Sequence, residues 1–237
     1  MGGMNTTPLA PAGYGYAELP ALISLMTGDS KHDAAAESTL DVLWVLYDRV
    51  LRVSPGTIGD ETRDRFLLSK GHGPMAYYAV LAAKGFFDPD LLPGYGGSGS
   101  VLGRHPDRNL VPGAEISSGS LGHGLPLATG TALGLRARGL TGSRVFVLIG
   151  DGELDEGSNH EAIAFARAAR LDALHVVVVD NSSSTHGWPG GIEARFANEG
   201  WSALRVSGRD HAALEAALTT PHPGRPHAVV AVIEPRD

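Results

Sequence analysis

Short unbroken apolar runs alternate along this chain with longer stretches in which apolar residues recur every three or four positions. The runs at 65–69, 145–149, 174–179, 203–206 and 228–233 predict strands. Helical spacing extends from about Tyr16 to Val53, with Leu40, Leu43, Trp44, Tyr47 and Leu51 on one face, until Ser54-Pro-Gly-Thr57 breaks it. Further helices are predicted over 74–85, from the Gly/Ser cluster at 117–124 to near Gly139, and over 159–170, 192–199 and 210–218. Strands that are apolar throughout and separated by helices predict an α/β fold, with a mostly parallel central sheet covered by helices on both faces. Residues 1–15, rich in Gly, Pro and Thr, predict a loose arm, which leaves 16–237 as the domain.

Composition narrows the function classes. A net charge of -7, with no basic stripe, gives no electrostatic reason to bind nucleic acid or an anionic membrane. The absence of cysteine excludes disulfides, thiolate metal sites and cysteine nucleophiles. The first residues lack the basic and apolar blocks of a signal peptide, and Val176-Val-Val-Val179 is far short of a membrane span. A cytoplasmic location is therefore expected.

The densest chemistry follows the predicted strand 145–149. Ile149-Gly-Asp-Gly-Glu-Leu-Asp-Glu-Gly-Ser-Asn-His-Glu161 holds five carboxylates and three glycines in thirteen residues. As a calcium loop it fails, because the sixth position is Glu156 rather than Gly and the twelfth is Ala162 rather than Glu. As a dinucleotide fingerprint it lacks the third glycine. A solvated loop remains possible, but the C-terminal ends of parallel strands are where open α/β sheets build sites. The next strand closes in Asp180-Asn181, so an Asp and an Asn converge on one sheet edge. That pair suits a hard cation such as Mg²⁺, which prefers oxygen ligands and often shares them with phosphate.

With these residues in place the chain resembles the N-terminal, diphosphate-binding part of transketolases. Arg63-Asp-Arg-Phe-Leu-Leu-Ser-Lys-Gly-His-Gly73, Gly103-Arg-His-Pro-Asp107, Gly119-Ser-Leu-Gly-His-Gly124 and the stretch 150–161 stand in the family's order and spacing, and the likeness runs from about residue 20 to 233. The resemblance implies thiamine diphosphate and Mg²⁺ as cofactors, with Asp151, Asn181 and the backbone carbonyl of Ser183 as metal ligands. Gly119, Leu121, Gly122, Gly150, Gly152 and Glu153 join Asp151 and Asn181 as cofactor-binding positions, and amides at a helix start there can meet phosphate. His72 and His105 match histidines that line the channel to the reactive carbon and assist proton transfer. Glu156 and Glu161 match acidic residues of a hydrogen-bonded carboxylate network at an interface between subunits. Of the five carboxylates only Asp151 is expected to hold metal, and replacing Glu153 or Asp155 is expected to cost less than replacing Asp151.

The resemblance also implies what lies outside this sequence. The family's pyrimidine-binding domain, which carries the activating glutamate, has no counterpart before Asp237. A separate C-terminal transketolase-like subunit is therefore expected as partner, in a homodimer of heterodimers, as in split transketolases. The implied reaction passes a two-carbon ketol unit from a ketose to an aldehyde acceptor. Two departures touch the substrate side: the family's Ser-Gly-His-Pro-Gly reads Thr27-Gly-Asp-Ser-Lys31, so Asp29 replaces a histidine, and Ser-Ser-Ser-Thr-His-Gly187 follows Asn181 where the family has a larger apolar residue and an Asp. They leave open a 2-oxo acid donor with decarboxylating carboligase or dehydrogenase chemistry, and also a non-catalytic cofactor-binding subunit.

Overall fold

The computed structural model describes residues 13–27 and 30–233, excepting the side chains of 30–35. Five strands, Arg65–Leu68 (β1), Val145–Gly150 (β2), Leu174–Asp180 (β3), Ser202–Ser207 (β4) and His227–Val232 (β5), form one parallel sheet in the order β1-β2-β3-β5-β4. The helices are Leu19–Ser24 (α1), Ser30–Val45 (α2), Pro74–Ala83 (α3), Gly124–Ala137 (α4), Gly157–Ala168 (α5), Ile192–Asn198 (α6) and His211–Leu218 (α7). Among the described residues no helix is long and apolar enough to cross a membrane.

Period-two alternation within the strands divides the core. Phe66, Leu68, Phe146, Leu148, Val177, Val179, Val229 and Ala231 pack under α1, α2, α3 and α7. Their neighbours Leu67, Val145, Val147, Ile149, Val176, Val178, Ala228 and Val230 pack under α4, α5 and α6. Both faces of β2 and β3 are thus filled by branched or aromatic side chains, which is why these strands read as continuous apolar runs. β4 is the exception, an edge strand whose residues are half-buried or exposed.

The predicted helix over 16–53 is in fact divided. A 3₁₀ turn at Tyr16–Glu18 leads into α1, a turn and bend at 25–26 end it, and α2 continues as a π-helical turn, Leu46–Val50. Apolar spacing persists across these breaks because α1 and α2 both lie against α3, so periodicity alone does not reveal them. Of the predicted arm, residues 1–12 lie outside the described residues.

The N-terminal edge of the sheet is a structural region. Asp64, fully buried before β1, accepts hydrogen bonds from the backbone amides of Arg52 and Arg144 (2.9 and 3.0 Å) and from both guanidinium groups (2.7 and 2.5 Å). Burial opposes its ionisation, but these donors outweigh it and hold the carboxyl well below the usual range. Nearby, His175 stacks on Phe146 at 4.3 Å, and His222 and His227 stack on each other at 4.7 Å.

Candidate active site

The site is built at the opposite, C-terminal edge. The amides of Ser69 and Lys70 both donate to Leu148 O (2.9 and 3.0 Å), and the Asp151 amide donates to Val179 O (3.0 Å). The turns after β1, β2 and β3 therefore leave the sheet side by side, carrying Ser69-Lys-Gly-His72, Gly150-Asp-Gly152 and Asn181.

Asp151 is 1% exposed and faces the loop after β3. Its Oδ2 accepts the amides of Ser183 and Ser184 (2.6 and 3.0 Å), and its Oδ1 accepts the Ser183 hydroxyl (2.5 Å). The Ser183 carbonyl lies close to Gly152, where an added Cβ would stand 3.4 Å from it. Asn181 is half-buried, yet its Oδ1 is fully buried and has no hydrogen-bond partner among the described residues. A buried acceptor without a donor is costly unless a ligand completes it. A carboxylate, a carboxamide oxygen and a backbone carbonyl form an all-oxygen set that fits Mg²⁺. Among the described residues no group of three His, Asp or Glu is placed to hold a metal.

The 119–124 turn closes over this edge. Gly119 has φ +126°, and a Cβ there would lie 2.8 Å from His105 Cγ, so the His105 loop and the turn are pressed together. Gly122 has φ +81°, and its Cβ would meet Glu156 Cβ and Ser158 Oγ at 2.7 Å. Both positions need glycine on two counts, conformation and space. Leu121 is exposed and rests by its Cδ2 against Gly71. His72 and His105 are exposed at this edge, and the His72 carbonyl accepts Lys70 Nζ at 3.0 Å.

Glu153 differs most from the expectation of a minor or solvated acid. It is 2% exposed, and its carboxylate meets protein donors: the Ser69 hydroxyl, the Gly122 amide at 2.9 Å and, more weakly, the Gly150 amide at 3.4 Å. Ser69 Oγ in turn accepts the Gly124 amide at 3.0 Å. Of the amides leading into α4 that were expected to be open to phosphate, those of Gly122 and Gly124 are thus already engaged by side chains. Burial raises the Glu153 pKa against the pull of these donors and of Lys70. Asp155 binds the Thr185 amide and hydroxyl (3.3 and 2.9 Å) and the Ser184 hydroxyl (3.3 Å), clasping the loop after Asn181 from a second side. Glu156 and Glu161 are both exposed in the single chain.

Sequence reasoning passed over Lys70. Its side chain is buried with the methylene stem against Gly150, and burial depresses its pKa to about 8 while the charges of Asp151 and Glu153 oppose that shift. A lysine directly after an apolar strand, inside the Ser69-Lys-Gly-His72 motif, was the available signal. Asp29 lies outside the described residues, as does the side chain of His32.

The chain is similar to known proteins. Residues 21–232 match the family described as transketolase, thiamine diphosphate binding domain. Ferredoxin fas2 of Rhodococcoides fascians is 58% identical over 229 residues, 97% of this chain and 75% of that protein. One of the subunits of an apulose-4-phosphate transketolase from Actinobacillus succinogenes is 36% identical over 207 residues, 84% of this chain and 75% of that protein. A 6-deoxy-6-sulfo-D-fructose transketolase subunit, SqwG, of a Clostridium species is 36% identical over 185 residues, covering 76% and 67%. A Pichia stipitis transketolase solved with sedoheptulose 7-phosphate superposes with a TM-score of 0.75 at 25% identity, over 92% of this chain and 36% of that one. The chain thus spans about a third of the length of such solved transketolases.

Proposed function

Because this chain belongs to the transketolase family of thiamine diphosphate binding domains, we propose that it is the diphosphate-binding subunit of a two-subunit, transketolase-like enzyme that moves a two-carbon ketol unit to an aldehyde. The observation that carries this is Asp151 at the end of one strand and, at the end of the next, the buried Asn181 Oδ1, which has no hydrogen-bond partner among the described residues. Asp151, Asn181 and the Ser183 carbonyl would hold Mg²⁺, and the metal would hold the diphosphate. When bound, thiamine diphosphate supplies a nucleophilic carbon and an electron sink for breaking and making the bond next to a carbonyl.

The chain's own residues do the rest. Gly119, Gly122, Gly150 and Gly152 let backbone approach the cofactor closely, and Leu121 covers it with apolar surface. His72 and His105, exposed at the same edge, bind substrate hydroxyls and relay protons. Glu156 and Glu161 are open to a second subunit, consistent with an interfacial carboxylate network in a homodimer of heterodimers. Relatives named as transketolase subunits support a separate partner subunit; that partner would carry the pyrimidine-binding domain, and the assembly would work in the cytoplasm. Assembled with such a partner, thiamine diphosphate, Mg²⁺ and a ketose donor, the chain is expected to transfer the two-carbon unit. An assembled pair that binds no thiamine diphosphate ends this reading.

One observation favours a second reading, decarboxylation of a 2-oxo acid with electrons passed onward. The 58%-identical relative bears the name of an electron carrier. These 237 residues have no cysteine and cannot ligate an iron–sulfur cluster through thiolates, so the acceptor would lie outside this sequence. Release of CO₂ from a 2-oxo acid coupled to dye reduction would support it, and turnover of ketose donors alone would exclude it.

A further inference from the structure

We infer that Glu153 is a positioning residue of the cofactor site, joining the three turns whose backbone would surround the cofactor. The inference rests on the reading of this edge as the thiamine diphosphate anchor. Glu153 Oε1 receives the Ser69 hydroxyl from the turn after β1 and the Gly122 amide from the entry to α4, while Oε2 faces the Gly150 amide at the end of β2. Ser69 Oγ extends the chain of bonds to the Gly124 amide. The Glu153 backbone carbonyl accepts Asn159 Nδ2 at 2.6 Å, which ties in the first turn of α5. Four segments thus meet on one residue whose side chain is shut off from water.

A Cβ at Gly122 collides with Glu156 and Ser158, and one at Gly124 overlaps Ser69, so the turn must satisfy its amides with an acceptor reaching in from elsewhere. Glu153 is that acceptor, from 31 residues away, and it reaches Ser69 across 84. The sheet and its helices are held by two separate apolar clusters that do not include this carboxylate. Removing it should therefore shift Gly122 and Gly150, the backbone set against the cofactor, while the fold persists.

The test uses the full chain assembled with its partner and measures the dissociation constant of thiamine diphosphate in excess Mg²⁺ by calorimetry, alongside Tm. Glu153→Ala is expected to weaken binding tenfold or more. Glu153→Gln keeps an oxygen for Ser69 and Gly122 and should restore binding to within about threefold of wild type. Ser69→Ala, which leaves the backbone and Cβ in place, should weaken it about fivefold and decides the matter if Glu153→Ala does not fold. Val230→Ala, in the core of β5, supplies a loss of Tm without a change at the site and should leave the constant unaltered. The inference is overturned if Ser69→Ala and Glu153→Ala bind like wild type, or if Val230→Ala weakens binding equally. A wild-type assembly that binds no thiamine diphosphate instead overturns the functional reading, and this one with it.

Discussion

Ser183 holds Asp151 with two donors at once, its amide at 2.6 Å and its hydroxyl at 2.5 Å. The carboxylate predicted to bind Mg²⁺ is therefore engaged by the same loop whose carbonyl would complete the metal's ligand set. Cation and hydroxyl compete for the same oxygens. Ser183→Ala removes one competitor and leaves the carbonyl in place. A net hydrogen bond to a charged group contributes about 1.5 kcal/mol or more, so the Mg²⁺ concentration that half-saturates thiamine diphosphate binding should fall several-fold. Trp188, in the same loop, offers a fluorescence readout, and an unchanged or higher Mg²⁺ requirement would refute the competition.

Replacing Asp151 itself should do far more. Asp151→Asn preserves shape and can still accept from Ser183, but it removes the only carboxylate of the proposed ligand set. Mg²⁺-dependent cofactor binding is expected to weaken at least a hundredfold, with Tm lowered by only a few degrees. Asp155→Asn, which loosens the clasp on Thr185 without touching the ligand set, should cost less than tenfold. Calorimetry on both variants checks the order, and a larger effect at Asp155 would mean that the ligands are wrongly assigned.

At the other end of the sheet, Asp64→Ala should destabilise without affecting the site. It strands Arg52 and Arg144 and two backbone amides that now share one buried carboxylate. Breaking such a pair costs about 3–5 kcal/mol when both partners are buried, and about 2–4 kcal/mol is expected here because Arg52 is 58% exposed. Urea unfolding measures it. The depressed Asp64 pKa also fixes a direction with pH: its contribution is complete above the ordinary carboxylate range and is lost as pH falls below it.

A second pH effect should appear closer to neutrality. Burial holds His175 neutral, well below the ordinary 6.5, with the neighbouring rings of His222 and His227 and the charge of Arg144 adding to the shift and Asp64 opposing it. His227 is lowered by the same first cause, burial, although its contact with the Ala217 carbonyl opposes the shift. Below 6.5 the unfolded chain takes up protons that the fold refuses. Stability is therefore full above that pH and falls beneath it, by up to about 1.4 kcal/mol per unit for each imidazole. Unfolding free energies at pH 7.5 and 5.5 should differ by about 1–3 kcal/mol, and His175→Phe, which keeps the ring stacked on Phe146, should reduce the difference. A slope unchanged by that substitution would locate the effect elsewhere.

Where a residue's placement follows from its neighbours in sequence, it was legible. Strand runs such as Val145–Ile149 signal full burial because both their faces are apolar, and Gly150-Asp-Gly152 with Asn181 follows from strand ends sharing an edge. The partners of Glu153 were not legible, because the Ser69 hydroxyl that it meets lies 84 residues away. Lys70 was missed because a lone lysine is ordinarily a surface residue, and only the stacking of β1 on β2 places it against Gly150. The break between α1 and α2 was hidden because both segments present their apolar residues to α3.

Those sequence separations carry a kinetic consequence. β1 pairs with β2 across 80 residues, Arg65 opposite Val145, and the turns that surround the site are contributed from separations of 31 to 84 residues. Topologies dominated by such distant pairings form slowly, since the chain must close long loops before any contact stabilises them. A nascent chain emerging from the ribosome holds β1 unpaired until β2 has been made, and nothing resembling the cofactor anchor exists before then. On the function proposed above, cofactor capture would thus be a late event, open only to an assembly whose chain has completed its sheet. In a cell, thiamine diphosphate would select finished molecules and, by mass action, draw the population toward them.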